Sequence, residues 1–175
     1  DVTAIKNEYG SLEGVNAVGV TQTAGEDGKP LTVFEEYQNK MKERLEFYQA
    51  KASNGTAKYI FEKKASVYTR SGLSDMTAHS IKQQRNYKEN EIKSSIELSK
   101  SGAKGAYQTW NNPEGDFRKF YAKGLSDITE LAILNGWNID PNAIDPTDPE
   151  GKRKLGISNQ YLEAVEKYNK DVLEH

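Results

Sequence analysis

Apolar residues recur at spacings of three and four along most of this chain, and that recurrence outlines its helices. From Thr32 the series Phe34, Tyr37, Met41, Leu45, Tyr48 and Ala52 keeps one helix face apolar. Thr32 and Glu35 supply the reciprocal cap of a helix start, and Ser53, Asn54 and Gly55 supply its stop. A second helix is predicted over 57–70, where Tyr59, Ile60, Phe61, Ala65, Val67 and Tyr68 form a broad apolar side and Gly72 offers the left-handed turn that ends it. The connection at 54–56 is short, so the two helices are expected to run antiparallel.

A third helix, polar for its length, is expected over 75–101. Its inner face reads Ile81, Arg85, Lys88, Ile92, Ile96 and Ser99, an apolar stripe with two cations in its middle. Asn112 and Pro113 are a cap and first-turn pair that starts a short helix through Phe117, Phe120 and Tyr121. The most apolar run, LSDITELAILNGWNI at 125–139, follows Gly124 and reads as the buried helix around which the others pack. Ser126 and Asp127 serve as its caps, Ile133 makes its second half apolar on nearly every face, and Gly136 ends it. The last helix restarts at Ile157 and Ser158, with Ile157 placed to staple onto Leu162 and Tyr161, Val165, Tyr168 and Val172 continuing it.

Two stretches break this pattern. Residues 1–31 carry glycines at 10, 14, 19, 25 and 28 and show no sustained helical stripe. They read as a Gly-rich arm in which Val18, Val20, a turn at Asp27 and Gly28, and Leu31 to Phe34 outline a β-hairpin. Residues 138–156 hold Pro141, Pro146 and Pro149, each preceded by an aspartate. They must be loop, because proline lacks a donor and biases its predecessor towards extended geometry. The fold class is therefore all-α: a single domain of five to seven helices over 32–172, with 1–31 as an N-terminal arm. Leu173, Glu174 and His175 read as the junction of a polyhistidine vector tag and are set aside. GLSDMT at 72–77 matches GLSDIT at 124–129, and a glycine that stops one helix before Ser-Asp starts the next explains the match as recurring turn chemistry.

Composition sharpens the expected core. Leu, Ile, Val and Phe make up only 34 of 175 residues, so the ten tyrosines and two tryptophans must supply part of the buried area. A net charge of −2 and a pI near 5.8 give no basic footprint for nucleic acid and no long-range attraction to an anionic membrane. There is no cysteine, hence no disulfide and no thiolate metal site.

Candidate chemistry is sparse. Asp140, Asn142, Asp145, Asp148 and Glu150 are oxygen ligands of the kind calcium needs, but their spacing departs from the twelve-residue calcium loop and Lys152, Arg153 and Lys154 follow to neutralise them. A turn-rich connector held by side-chain-to-backbone bonds is the reading that fits. His79 stands four residues after Asp75 on a helix start, with no nucleophile identifiable beside it. Glu89 and Glu91, two apart, point to opposite sides of a helix. Trp110, Trp137, Tyr107, Tyr121 and Tyr161 suit either a core or an aromatic groove for sugars or a peptide.

These features favour a non-catalytic protein-interaction or structural domain with no cofactor and no metal. The alternative is a carboxylate-dependent hydrolase acting on a polysaccharide or other extracellular polymer through an aromatic cleft. The expected partner is a protein, either another chain or a second copy. The interrupted stripe is where it would dock, with Ile92 and Ile96 as anchors and Arg85 and Lys88 beside them. Internal packing of the two isoleucines is the competing reading.

Overall fold

The computed structural model of the chain describes residues 2–13, 15–52, 54–108 and 112–173. The expected helix stop at Ser53, the ring of Trp110, and Glu174 and His175 of the vector-like end lie outside the described residues. Helix accounts for 72% of the described residues, which form six helices and one two-stranded antiparallel hairpin near the amino terminus. In chain order these are α1 (Val2–Gly10), α2 (Val15–Val18), β1 (Val20–Ala24), β2 (Pro30–Thr32), α3 (Val33–Ala50), α4 (Gly55–Ala106), α5 (Pro113–Leu134) and α6 (Asn159–Leu173). Among the described residues no helix is long and apolar enough to cross a membrane. The chain divides into two compact units, 1–87 and 88–175, with α4 supplying residues to both.

In the first unit, α3 begins where the pattern places it. Thr32 Oγ1 accepts from the Glu35 amide at 3.2 Å, and the Thr32 amide donates to Glu35 Oε2 at 2.8 Å. Since Thr32 caps, Val33 and Phe34 are helical and the expected return strand ends two residues early. Gly28 turns the hairpin with a φ of 75°. Residues 2–10 form a helix where an irregular arm is expected. Val2, Ile5, Tyr9 and Leu12 make a short stripe at spacings of three and four, and it packs on Val33, Tyr37 and Met41 of α3 with Met76 of α4. Nine residues are too few for a stable isolated helix, so burial of this stripe holds it.

The second unit is built on Ile92, Ile96 and Ala103 of α4, Ile128 and Leu131 of α5, and Tyr168 and Val172 of α6. Asn112 caps α5 by accepting from the Gly115 amide at 3.2 Å. The helix then continues through Gly124, so Ser126 and Asp127 are interior residues and not caps. Asp127 is 2% exposed and accepts from Ser95 Oγ at 2.7 Å and from Lys123 Nζ. Ile133 is 65% exposed, so the second half of α5 is open on one side and not surrounded. Its end at Asn135 and Gly136, with φ of 69° at the glycine, is where the sequence puts it.

The helices expected over 57–70 and 75–101 are one helix, and Gly72 stops neither. A lone glycine in a helix interior costs only about 1 kcal/mol against alanine, which packing readily offsets. The two GLSD segments show what offsets it. In both, the glycine lies beneath the tip of a tyrosine that is essentially inaccessible, Tyr37 at 0% and Tyr168 at 1% exposure. A methyl group at Gly72 would stand 2.8 Å from Tyr37 Oη, and one at Gly124 would overlap the Tyr168 ring. The fifth residue of each segment, Met76 or Ile128, is core. The threonine that follows donates to the carbonyl four residues back, Thr77 to Leu73 at 2.8 Å and Thr129 to Leu125 at 3.0 Å. The match is thus one of mid-helix packing and not of turn chemistry.

The hydroxyls of the two tyrosines differ. Tyr168 Oη donates to the Phe120 carbonyl at 3.2 Å, whereas Tyr37 Oη is, among the described residues, the buried side-chain oxygen without a hydrogen-bond partner. Tyr168→Phe should therefore cost about 1 kcal/mol, while Tyr37→Phe should be neutral or stabilising. Gly124→Ala should cost about 1–3 kcal/mol through overpacking, although alanine is the better helix former. Urea unfolding of the three variants measures this, and equal losses for the two Tyr→Phe changes would contradict it.

Candidate functional site

Ile92 and Ile96 are 3% and 8% exposed and lie in the core of the second unit. They reach a second chain only if that core opens, so internal packing prevails over docking at these two positions. Lys88 sits at the edge of the stripe, where its ammonium meets Glu130 at 3.1 Å and Glu91 at 3.7 Å; the hydrogen bond to Glu130 raises its pKa. Arg85 is exposed on α4 and engaged in an interaction of its own. The four residues do not form one surface.

The Asp-Pro loop uses its carboxylates internally. Asp145 Oδ1 accepts from the Thr147 amide at 2.8 Å and hydroxyl at 2.7 Å, and Asp145 Oδ2 accepts from Arg153 Nε at 2.8 Å. Asp148 Oδ2 takes the amides of Lys152 and Arg153 at 2.8 and 2.7 Å. Asp140 accepts from the Asn142 amide at 2.8 Å. Ser158 closes the base of the loop by donating its amide to the Asn138 carbonyl at 2.8 Å and accepting the Asn138 amide at 2.7 Å. These are the side-chain-to-backbone bonds of a connector.

The other candidates are also occupied by packing. His79 Nε2 lies 2.9 Å from the Leu12 carbonyl, while Asp75 pairs with Lys6 and not with His79. Of the rings suited to a sugar groove, Tyr107 is exposed with one side tilted against Phe117, and Tyr121 stacks on Phe117 and tilts against Tyr168, with centroids 5.5 to 5.8 Å apart. Tyr121 Oη also donates to Asn169 at 2.6 Å, and Tyr161 Oη meets Thr129 at 3.3 Å. This is an aromatic stack at the edge of a core, not the wall of a groove.

Several open grooves lie in the first unit. One, of about 440 Å³ between the hairpin and α3, displays Glu26, Glu36, Glu43 and Glu46 and no aromatic ring. A second brings Glu8 and Glu36 together beside Tyr9. Lys40 Nζ pairs with both carboxylates, 3.4 and 3.7 Å away.

A third groove, of about 330 Å³, runs between α3 and α4 beside the start of α1. It is lined by Val2, Leu45, Tyr48, Phe61, Ala65 and Tyr68, with Lys64 at its rim and no carboxylate. Gln49 Nε2 spans the two helices to Glu62 at 3.1 Å, which with Tyr37 over Gly72 fixes the expected antiparallel pairing. Along α4 the apolar surface continues outside the groove: Tyr59, Ile60, Val67 and Tyr68 are between 50% and 67% exposed. Ile60, Lys64, Val67 and Tyr68 stand at i, i+4, i+7 and i+8, so they are neighbours on one helix face.

The charge of this segment is the feature that sequence reading passed over. Residues 51–71 hold Lys51, Lys58, Lys63, Lys64 and Arg70 against Glu62 alone, a net +4 in a chain of net −2, so the remainder carries −6. Among the described residues none of the five cations has a carboxylate partner. Lys51 lies over the Phe47 ring at 4.2 Å and Lys63 over Tyr59 at 5.3 Å, which seats positive charge on the apolar surface. A near-neutral total hides such a patch, and a local count along 51–71 would have found it.

One prediction concerns the loop. Hydrogen bonds from Thr147 and Arg153 hold the Asp145 carboxyl down at about 2, below its ordinary value of 3.8, and those from Arg153, Lys152 and Glu150 amides lower Asp148 as well. The charged forms are the bonded ones, so this contribution is complete above the ordinary carboxylate range and is lost as pH falls from about 4 towards 2. The backbone amide resonance of Thr147 should titrate with a midpoint near 2 in an NMR pH series, and a midpoint near 4 would contradict the assigned bonds. No protein-family model, no curated protein and no solved structure matches the chain.

Proposed function

We propose that the chain is a non-catalytic protein-interaction domain and that its binding face is the groove between α3 and α4 with the adjoining surface of α4. The observation that carries this reading is the concave apolar lining of Leu45, Tyr48, Phe61, Ala65 and Tyr68, bordered by aromatic and aliphatic side chains left in water. Large contiguous apolar surface is uncommon on proteins that bind nothing, and tyrosines beside basic residues are the groups from which binding hot spots are made. The α3–α4 groove has no acid, and where two carboxylates do share a groove with a ring, at Glu8, Glu36 and Tyr9, Lys40 pairs with both of them, which supports binding over hydrolysis.

Selection of a displayed random-peptide library on the full chain tests this. Peptides recovered on the wild type should bind a Tyr48→Ser/Tyr68→Ser variant at least about tenfold more weakly, a loss of about 1.4 kcal/mol or more. Both side chains are partly exposed, so the melting temperature should change little. Equal binding to the variant, or recovery of no specific peptide, would overturn the proposal.

A further inference from the structure

The geometry points to an acidic amphipathic helix of a partner protein as the occupant of the α3–α4 groove, an inference that rests on the binding role proposed above. Shape is the first argument. Tyr48, Phe61, Ala65 and Tyr68 face one another across a hollow between two antiparallel helices, and a third helix can lay a row of apolar side chains into such a hollow while a flat bilayer cannot. Two packed helices with an open apolar seam are an incomplete layer, and a helix is the element that completes it.

Length is the second argument. From Ile60 to Tyr68 the apolar edge of α4 runs about 12 Å at 1.5 Å per residue, the span of anchors at i, i+4 and i+7 or i+8 on an incoming helix. Lys58 and Lys64 stand about 9 Å apart along the same helix axis.

Charge is the third. Lys64 lines the groove and Lys58 precedes it by six residues on α4; neither has a carboxylate partner among the described residues, and a helix with Asp or Glu flanking its apolar row would supply one to each. Rim charges of this kind act mainly on association rate and on the choice of partner, so a basic helix with the same apolar row would be rejected.

The test uses the full chain and a labelled peptide of about 15 residues with Leu at i, i+4, i+7 and i+11 and Glu on the flanking positions, beside the same peptide with every Glu replaced by Lys. The Glu peptide should bind at least about tenfold more tightly than the Lys peptide, and more weakly as salt rises. A Lys58→Glu/Lys64→Glu variant should reverse that order, which a merely misfolded variant would not. Equal binding of both peptides to the wild type, lost in Tyr48→Ser/Tyr68→Ser, would overturn the acidic partner and leave the interaction domain standing. Binding of neither peptide would overturn the helical occupant, with the library selection deciding separately whether the groove binds proteins at all. Tighter, lysine-dependent binding to phosphatidylserine vesicles or to a single-stranded oligonucleotide would overturn it in favour of a membrane or nucleic-acid partner. A doubled mass of the chain alone, abolished by Lys58→Glu/Lys64→Glu, would overturn it in favour of a second copy.

Discussion

Two tyrosine rings are seated where a long helix has no side chain, and the core of each unit is arranged around that seat. A buried ring removes roughly 200 Å² from water, worth about 5 kcal/mol at about 25 cal/mol per Å². The helix-interior glycine that admits it costs about 1 kcal/mol, so the exchange favours the glycine wherever the ring can reach it. Tyr37 on α3 reaches Gly72, and Tyr168 on α6 reaches Gly124. The side chains one turn away follow from this choice: Met41 and Met76 surround the first ring, and Ile128, Leu131 and Val172 share the cluster of the second. A chain with few aliphatic residues thereby builds dense cores from large rings and small gaps.

Asp127 belongs to the same economy in the second unit. A carboxylate at 2% exposure is tolerable only with partners, and it has Ser95 from α4 and Lys123 from one turn earlier on α5. The bond to Ser95 ties α4 to α5 beside Ile92 and Ile96, which leaves those two isoleucines inside and places Lys88 at the boundary against Glu130.

Tyr121, Tyr161 and Tyr168 are engaged in packing in the second unit, and the exposed aromatic surface of the first unit is the part proposed for recognition. Tyr48 and Tyr68 line the α3–α4 groove and remain 39% and 65% exposed, the amphipathic placement that suits such rings. The acidic groove beside the hairpin and the basic face around Lys58 and Lys64 use different helix sides, so one small unit presents both signs of charge.

The sequence by itself determined the local events. The cap at Thr32 and Glu35, the stop at Gly136, the loop imposed by three prolines, the all-α class and the antiparallel pairing across the short 54–56 connection all follow from interactions within a few residues. It also determined that Ile92 and Ile96 share a helix face. What covers that face depends on α5 and α6, distant in the chain, and only tertiary structure decided that Ile128, Leu131 and Tyr168 do. The same holds for Gly72 and Gly124. A glycine signals a helix end when judged from its neighbours, because no local rule records a ring arriving from thirty-five or forty-four residues away. Likewise α1 is too short to be stable on its own periodicity, and its burial on α3 is a long-range fact. The candidate groove lies between these cases. Phe61, Lys64 and Tyr68 stand in plain order along 51–71, but that they border a hollow is settled by where α3 lies against α4.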